Sequence, residues 1–342
     1  MAMLGAFDIH RSQLTFDVVC SETGEVRRGQ IRPADRPHLR DWLSRYLEGE
    51  SELAVEGCTG WRYVIEEFER AGCRKIHMAE PAEAAERKGP KHRAKTDWAD
   101  ARHLRELLEQ GRIPESWIPP TVIQEARIRG RLYKALMEER TAWAERIQAT
   151  LFHQGVPQLP NVIRPQARGL LPDVELSPAG RLAVEVSLRQ ADHLGQQAAA
   201  LRKDIQARAR RLVAPRALVQ RHEGIGFLLA YVIWAEDGDV RRFTSSDDSV
   251  RFSGLDITVL ASDRRRAKGH LSKQGSPLLR WAFYQGAMAA THSSSPDHAY
   301  YLEVKERHQG DGEIALLAVA RKLCQRCYHT LRELGEAWLD VA

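Results

Sequence analysis

An apolar run with a carboxylate near its end opens the chain: Met3-Leu4-Gly5-Ala6-Phe7-Asp8-Ile9-His10. Residues 15–20 and 25–31 repeat the pattern of a short strand, separated by the turn-forming stretches His10-Arg11-Ser12 and Ser21-Glu22-Thr23-Gly24. Runs of this length between such breakers predict an antiparallel meander of three strands. A charge within an apolar strand is costly unless it is paired or binds a cation. Asp8 is therefore a candidate metal ligand, and the remaining sequence is searched for its partners.

The 342 residues are enough for two or three domains, and an apolar content of 43% excludes a disordered chain. No apolar run is long enough to span a membrane and no secretory leader precedes the first strand, so no membrane partner and a cytoplasmic location are expected. Cys324-x-x-Cys327 has no second pair to complete a zinc site and reads as part of a helix face. The net charge of +5 fits an anionic partner, although basic enzymes are common.

After the meander, Leu39, Trp42, Leu43, Tyr46 and Leu47 form a helical stripe over residues 36–48. Glu52-Leu53-Ala54-Val55-Glu56 is a fourth strand, again ending in an acid. Residues 61–71 form a helix and Lys75-Ile76-His77-Met78 a fifth strand. Three strands, helix, strand, helix, strand, helix is the order of an RNase H-like α/β domain, here residues 1–115, with strands four and five parallel to strand one. Functional groups gather at strand ends in such sheets, so Asp8 and Glu56 could face each other.

A basic, Gly/Pro-containing stretch follows, with Lys88, Lys91, Arg93 and Lys95 as candidate nucleic-acid contacts. It leads into Lys95-Thr96-Asp97-Trp98-Ala99-Asp100. Thr96 is a plausible N-cap, and Asp97 and Asp100 are three apart on one helix face. Acids in a first turn also complement the helix dipole, which is the ordinary reason for finding them there. Two strand-end acids earlier in the same domain favour metal binding instead. Four carboxylates, Asp8, Glu56, Asp97 and Asp100, are a usual oxygen set for two divalent ions.

Residues 120–213 contain two charged helical segments. Ile128, Leu132, Leu136, Trp143, Ile147 and Leu151 mark the stripe of residues 121–154. Leu194, Ala198, Leu201, Ile205 and Leu212 mark that of residues 181–213. Near-heptad spacing predicts a long coiled-coil arm, with an internal helical bundle as the alternative. Residues 157–178 read as a long loop. The last region, 215–342, is expected to be mostly helical. His222-Glu223-Gly224-Ile225-Gly226 resembles a helix-hairpin-helix turn, whose glycines let backbone amides approach a phosphate. Residues 256–281 carry six Lys/Arg and two Asp. In that basic loop Arg264, Arg265, Arg266, Lys268 and Lys273 are candidate phosphate contacts, and Ser262 lies beside them.

Together these residues resemble a DEDD transposase of the IS-one-ten insertion-sequence family, whose relatives include the Piv-type DNA invertases. The likeness rests on Asp8, Glu56 and the Lys-Thr-Asp-x-x-Asp of residues 95–100. It extends to Gly224-Ile225-Gly226, Gly238-Asp239-Val240-x-x-Phe243, Phe252-Ser253-Gly254-Leu255 and Gly269-x-x-Ser272-Lys273-Gln274-Gly275. The resemblance implies a RuvC-like N-terminal domain, a coiled-coil arm and a C-terminal transposase domain with a nucleophilic serine, best matched by Ser262. It further implies recombination of donor and target DNA directed by a structured noncoding bridge RNA, Mg2+ (two ions, with Mn2+ able to substitute) on the four acids, and a homo-oligomer, dimer or tetramer. In this sequence Ala261-Ser262-Asp263 stands where the family often has Ser-Gly. The alternative is a RuvC-like metal-dependent endonuclease that uses water. A non-catalytic RNA-binding scaffold is a third reading. A sugar-kinase-like ATPase is disfavoured because no Gly/Thr-rich phosphate loop is present.

Overall fold

Alternation along the strands separates two faces of the first sheet. Phe7, Ile9, Leu53 and Val55 point one way and Ala6 and Ala54 the other, and all six are buried. A sheet buried on both faces needs helices on both faces. The computed structural model describes residues 3–47, 50–87, 96–157, 159, 162–258 and 270–341, together with the backbone of 261–262 and 265–266. They form two units, Met1–Ile118 and Pro119–Ala342.

In the first unit, β1 (Met3–Ile9), β2 (Leu14–Cys20) and β3 (Val26–Ile31) make the expected antiparallel meander. Then follow α1 (Arg36–Tyr46), β4 (Glu52–Glu56), α2 (Trp61–Arg70), β5 (Lys75–Ala79), α3 (Pro81–Glu86) and α4 (Asp97–Glu109). The sheet order is β3-β2-β1-β4-β5, with β4 parallel to β1 and β5 parallel to β4. The large side chains of one face pack with Leu39, Trp42, Val64 and Phe68 of α1 and α2. Phe7 lies 5.0 Å from Phe68 and edge-on to Trp42 at 5.2 Å, ring centre to ring centre. The other face is a floor of alanines, Ala6, Ala54 and Ala79 from three adjacent strands, on which Ala84, Leu104 and Leu108 sit. Small floor residues let α4 approach the sheet closely. A buried ion pair fixes its position: Arg105 Nε donates to Asp17 Oδ1 at 2.5 Å, and Arg28 Nε to Asp17 Oδ2 at 2.5 Å.

The second unit begins with α5 (Thr121–His153), α6 (Pro165–Arg168) and α7 (Pro178–Ala209). The long helices α5 and α7 run antiparallel. Near one end Ser177 N donates to Gln154 Oε1 at 2.7 Å, and Arg140 Nε donates to Ala191 O at 3.3 Å in the middle. Arg129 and Asp204 approach to 3.7 Å at the other end. Val184, Ala191, Ala198 and Ile205 are buried at seven-residue spacing, as a heptad seam requires. The expected stripe of α5 is partly out of phase. Ile128 and Leu132 are 51% and 50% exposed, whereas Ile123, Ala126, Gly130 and Tyr133 are buried. The buried face of α5 includes small residues that a count of large apolar ones passes over: a Cβ on Gly130 would lie 3.4 Å from Val232 and 3.5 Å from Leu278. The stretch between the long helices is more than a loop, since Val162 and Leu171 complete a small core with Ile147, Leu151 and Val184.

The remaining described α-helices and strands are α8 (Val213–Arg221), α9 (Phe227–Asp237), α10 (Ser246–Ser253), β6 (Ile257–Thr258), β7 (Ala261–Ser262), β8 (Arg265–Arg266), β9 (His270–Leu271), α11 (Pro277–Ala287), α12 (His298–Arg307) and α13 (Gly312–Glu333). Cys324 and Cys327 are buried on α13, as their reading as helix-face residues expects. The basic stretch read as a loop contains two antiparallel ladders, β6 with β9 and β7 with β8. Among the described residues no helix is long and apolar enough to cross a membrane.

Helix α9 ends in two buried acids. The Glu236 carboxylate accepts from Arg131 at 3.0 and 3.2 Å and from the Ser276 hydroxyl at 2.9 Å. Asp237 is fully buried and neither carboxylate oxygen has a hydrogen-bond partner among the described residues. Burial pushes its pKa up from 3.8 to about 7, against the pull of Arg242. A folded-state value above the unfolded one means that stability is lost as pH rises between those two values. Asp237→Asn should therefore leave the melting temperature near that of the wild type at about pH 4 and raise it by several degrees at about pH 8. A scanning-calorimetry pH series checks this; an equal gain at both pH values would rule out the titration.

Candidate metal centre

Register and side-chain parity place the first two acids. Phe7 pairs with Val55 across the parallel β1–β4 ladder, so Asp8 and Glu56 lie side by side one residue further on. Each is two residues beyond an alanine of the floor, Ala6 and Ala54, and so faces the side covered by α4. Helix α4 supplies the other two acids. Thr96 caps its N-terminus, its hydroxyl accepting from Ala99 N at 3.2 Å, and Asp97 and Asp100 occupy the first turn. The Asp17–Arg105 pair holds that helix, and hence its first turn, against β1 and β2.

Asp8, Glu56 and Asp100 line one small cavity with Phe7, Ala84, His103 and Leu104. Its volume of about 20 Å³ suits a water molecule or a small ion. Asp97 is linked to Asp8 through His10, whose Nε2 lies 3.1 Å from Asp8 Oδ2 and 3.3 Å from Asp97 Oδ1. Gln13 Nε2 donates to Asp97 Oδ2 at 2.8 Å. Burial pushes the Asp8 carboxyl above the usual carboxylate range; His10 opposes this, and the charges of Asp97 and Asp100 add to it. Burial, then the charges of Glu56 and Asp8, push the nearby Cys58 thiol up to about 11, so it is no thiolate nucleophile at neutral pH. The four carboxylates thus converge on one corner of the sheet. His10, at the junction of the first strand and its turn in the sequence, joins them; its spacing of two from Asp8, the strand period, is the available signal.

The candidates of the second unit fare differently. Ser262 stands opposite Arg265 in the β7–β8 ladder, and Ala261 opposite Arg266. Ser253 is fully buried and donates to Val250 O at 2.7 Å. The Ser272 hydroxyl donates to Asp256, and Lys273, with φ of +53°, adopts a left-handed conformation. Two glycines lock this region together. A Cβ on Gly254 would meet Gln274 O at 2.4 Å, and one on Gly275 would meet Phe252 O at 2.0 Å. Gly224 packs closely, its Cβ position lying 2.2 Å from Gly286 O, whereas no described atom lies within 4 Å of the Cβ position of Gly226. Lys88, Lys91, Arg93, Lys95, Arg264 and Lys268 lie outside the described residues.

A larger cavity of the second unit, about 540 Å³, is lined by Arg127, Arg131, Lys134, Phe252, Ser276 and Trp281. Arg131 is paired with Glu236 and Lys134 with Glu138, so much of its positive charge is already neutralised.

Residues 216–302 match the family model described as the Transposase IS116/IS110/IS902 family. The matched span runs from α8 into α12 and includes Gly224, Gly254, Ser262 and Gly275; the four acids of the first unit lie outside it. No curated protein matches the chain. The family match supports a transposase, an enzyme class that cuts and rejoins DNA, and DNA is the partner that class implies.

Proposed function

We propose that this chain is a transposase whose first unit is an RNase H/RuvC-like metal-dependent catalytic domain and whose second unit supplies a serine nucleophile, Ser262. The observation that carries the reading is the convergence of Asp8, Glu56, Asp97 and Asp100 at the carboxyl ends of β1 and β4, on a sheet ordered β3-β2-β1-β4-β5. The donor set fits hard divalent cations, since it is dominated by carboxylate oxygens. Asp8, Glu56, Asp97 and Asp100 would hold Mg2+, with Mn2+ as a substitute. A bound divalent ion neutralises charge on a phosphoryl group and lowers the pKa of a hydroxyl near it. The carboxylates would hold that charge at a fixed point, beside the buried alanines Ala6 and Ala54 of the same sheet face.

In the proposed step the Ser262 hydroxyl loses its proton to a base and its oxygen attacks phosphorus. One phosphorus–oxygen bond to the sugar breaks, and the released sugar oxygen takes up a proton. The ester formed replaces the ester broken, so reversal by another sugar hydroxyl rejoins strands without an energy-rich cofactor. On this reading the basic residues around the β7–β8 ladder, Arg265, Arg266 and Lys273 among them, neutralise DNA phosphates. The family resemblance supports a bridge RNA as guide, a coiled-coil arm within residues 120–213, and an assembly of two or four copies.

Ser262→Ala tests the chemistry, because it removes one hydroxyl and no charge. DNA and RNA binding should persist while strand cleavage and the covalent protein–DNA adduct disappear. Mass spectrometry of a digested, trapped adduct locates the modified residue. A nucleotide on Ser272 would overturn the assignment. Cleavage by the wild type with no adduct would favour the water-using endonuclease.

A further inference from the structure

We propose that His10 is a nitrogen ligand of the metal centre, so that the site takes a mixed nitrogen–oxygen donor set and binds Mn2+ more tightly than its carboxylates alone would. The inference rests on the carboxylate reading above and adds a residue to it. His10 follows β1 directly and shares the sheet face of Asp8, two residues earlier. Its Nε2 points between two carboxylates contributed by different elements, 3.1 Å from Asp8 Oδ2 at the end of β1 and 3.3 Å from Asp97 Oδ1 at the start of α4. One donor atom from each of the three residues lies within 4.8 Å of the others. Neighbouring ligands of an octahedral ion with bonds of about 2.1 Å are separated by about 3 Å. The spacing about Nε2 is therefore that of adjacent corners of one coordination shell. An ion seated among the three atoms needs only a lone pair on the nitrogen that already faces that point. The ring is half exposed, with a side-chain accessibility of 51%, so it can shift slightly without repacking the core.

The chemical consequence is selectivity. Magnesium favours oxygen donors and keeps its waters, whereas an imidazole ligand raises affinity for first-row transition ions. The competing ring is His103, which lines the same cavity. Its Nε2 lies 3.2 Å from Ala84 O.

The test uses the full chain and Mn2+ alone as the probe. Pulsed electron paramagnetic resonance of the Mn2+ complex should show coupling to one histidine nitrogen, confirmed by 15N-histidine labelling. In His10→Ala that coupling should vanish and the Mn2+ dissociation constant should rise about tenfold or more, while Mg2+ affinity changes by less than about threefold. His10→Gln, which retains a polar side chain, should also lose the nitrogen signal and controls for misfolding. A coupling that survives in His10→Ala would assign the nitrogen to another histidine and overturn the proposal. So would Mn2+ bound to the wild type with no nitrogen coupling, an outcome that leaves the carboxylate site standing. Wild-type chain that fails to bind Mn2+, or that binds it with the same affinity as Asp8→Asn, would instead overturn the metal-centre reading itself.

Discussion

Asp8→Asn is expected to reduce metal-dependent strand cleavage at least about a thousandfold while leaving the chain folded and, without metal, slightly more stable. The two effects have one origin. Asp8 is buried beside Asp97 and Asp100, and burial holds its pKa above the ordinary range. In the metal-free protein that charge is a cost, which a cation of the proposed centre would offset. Removing a ligand that helps place a divalent ion forfeits several kcal/mol of transition-state stabilisation, and about 4 kcal/mol corresponds to a thousandfold in rate. The stability effect has a defined sign. The folded-state pKa lies above the unfolded one, so the wild type loses stability as pH rises through that range. The advantage of asparagine in chelator-treated protein should therefore be absent in acid and present at neutral pH. Cleavage assays with Mg2+ and melting curves in chelator measure the two halves separately. A variant that still cleaves at the wild-type rate would remove Asp8 from the site, and one that fails to fold would make it a structural residue.

The acids of the first unit were legible because parity and register are short-range properties. An apolar strand ending in an acid shows at once in the sequence, and two such strands paired in parallel bring their ends together. The first-turn acids of α4 were equally visible once Thr96 was read as a cap. What could not be read was how α4 is held. Asp17 and Arg105 are 88 residues apart, and nothing local marks either as a partner. The exposed positions of Ile128 and Leu132 have a related cause. In α5 the buried seam is built partly from Ala126 and Gly130, residues too small to register as a stripe. The β6–β9 and β7–β8 ladders are two residues per strand in a charged segment, below the length at which alternation can be recognised. Ser262 rests on the resemblance, and the burial of Ser253 is information only the fold holds.

That long-range ion pair leads to the second large effect. Asp17→Ala is expected to destabilise the first unit by about 3–5 kcal/mol, because it removes the acceptor of a buried guanidinium Nε. Arg105 is buried on α4 and its Nε loses its acceptor, while its Nη1 keeps Glu109 one turn away. Arg28, the other partner of Asp17, is about half exposed and can turn to water at little cost. The reverse change, Arg105→Met, should cost less, since Asp17 retains Arg28. Replacing both, Asp17→Leu with Arg105→Met, should recover much of the loss of the first variant, because no buried charge remains and the apolar pair can pack between the floor alanines and α4. Denaturant melts of the three variants and the wild type close the cycle and yield the coupling energy directly. The same pair holds α4 on the sheet, and the first turn of α4 carries Asp97 and Asp100. Metal affinity should therefore fall in Asp17→Ala even under conditions where the unit is fully folded, and return in the double variant. If melts show the loss of stability but metal affinity stays at the wild-type value, the pair stabilises the fold without setting the position of the two acids. If Asp17→Ala is as stable as the wild type, the pair does not clamp the helix at all.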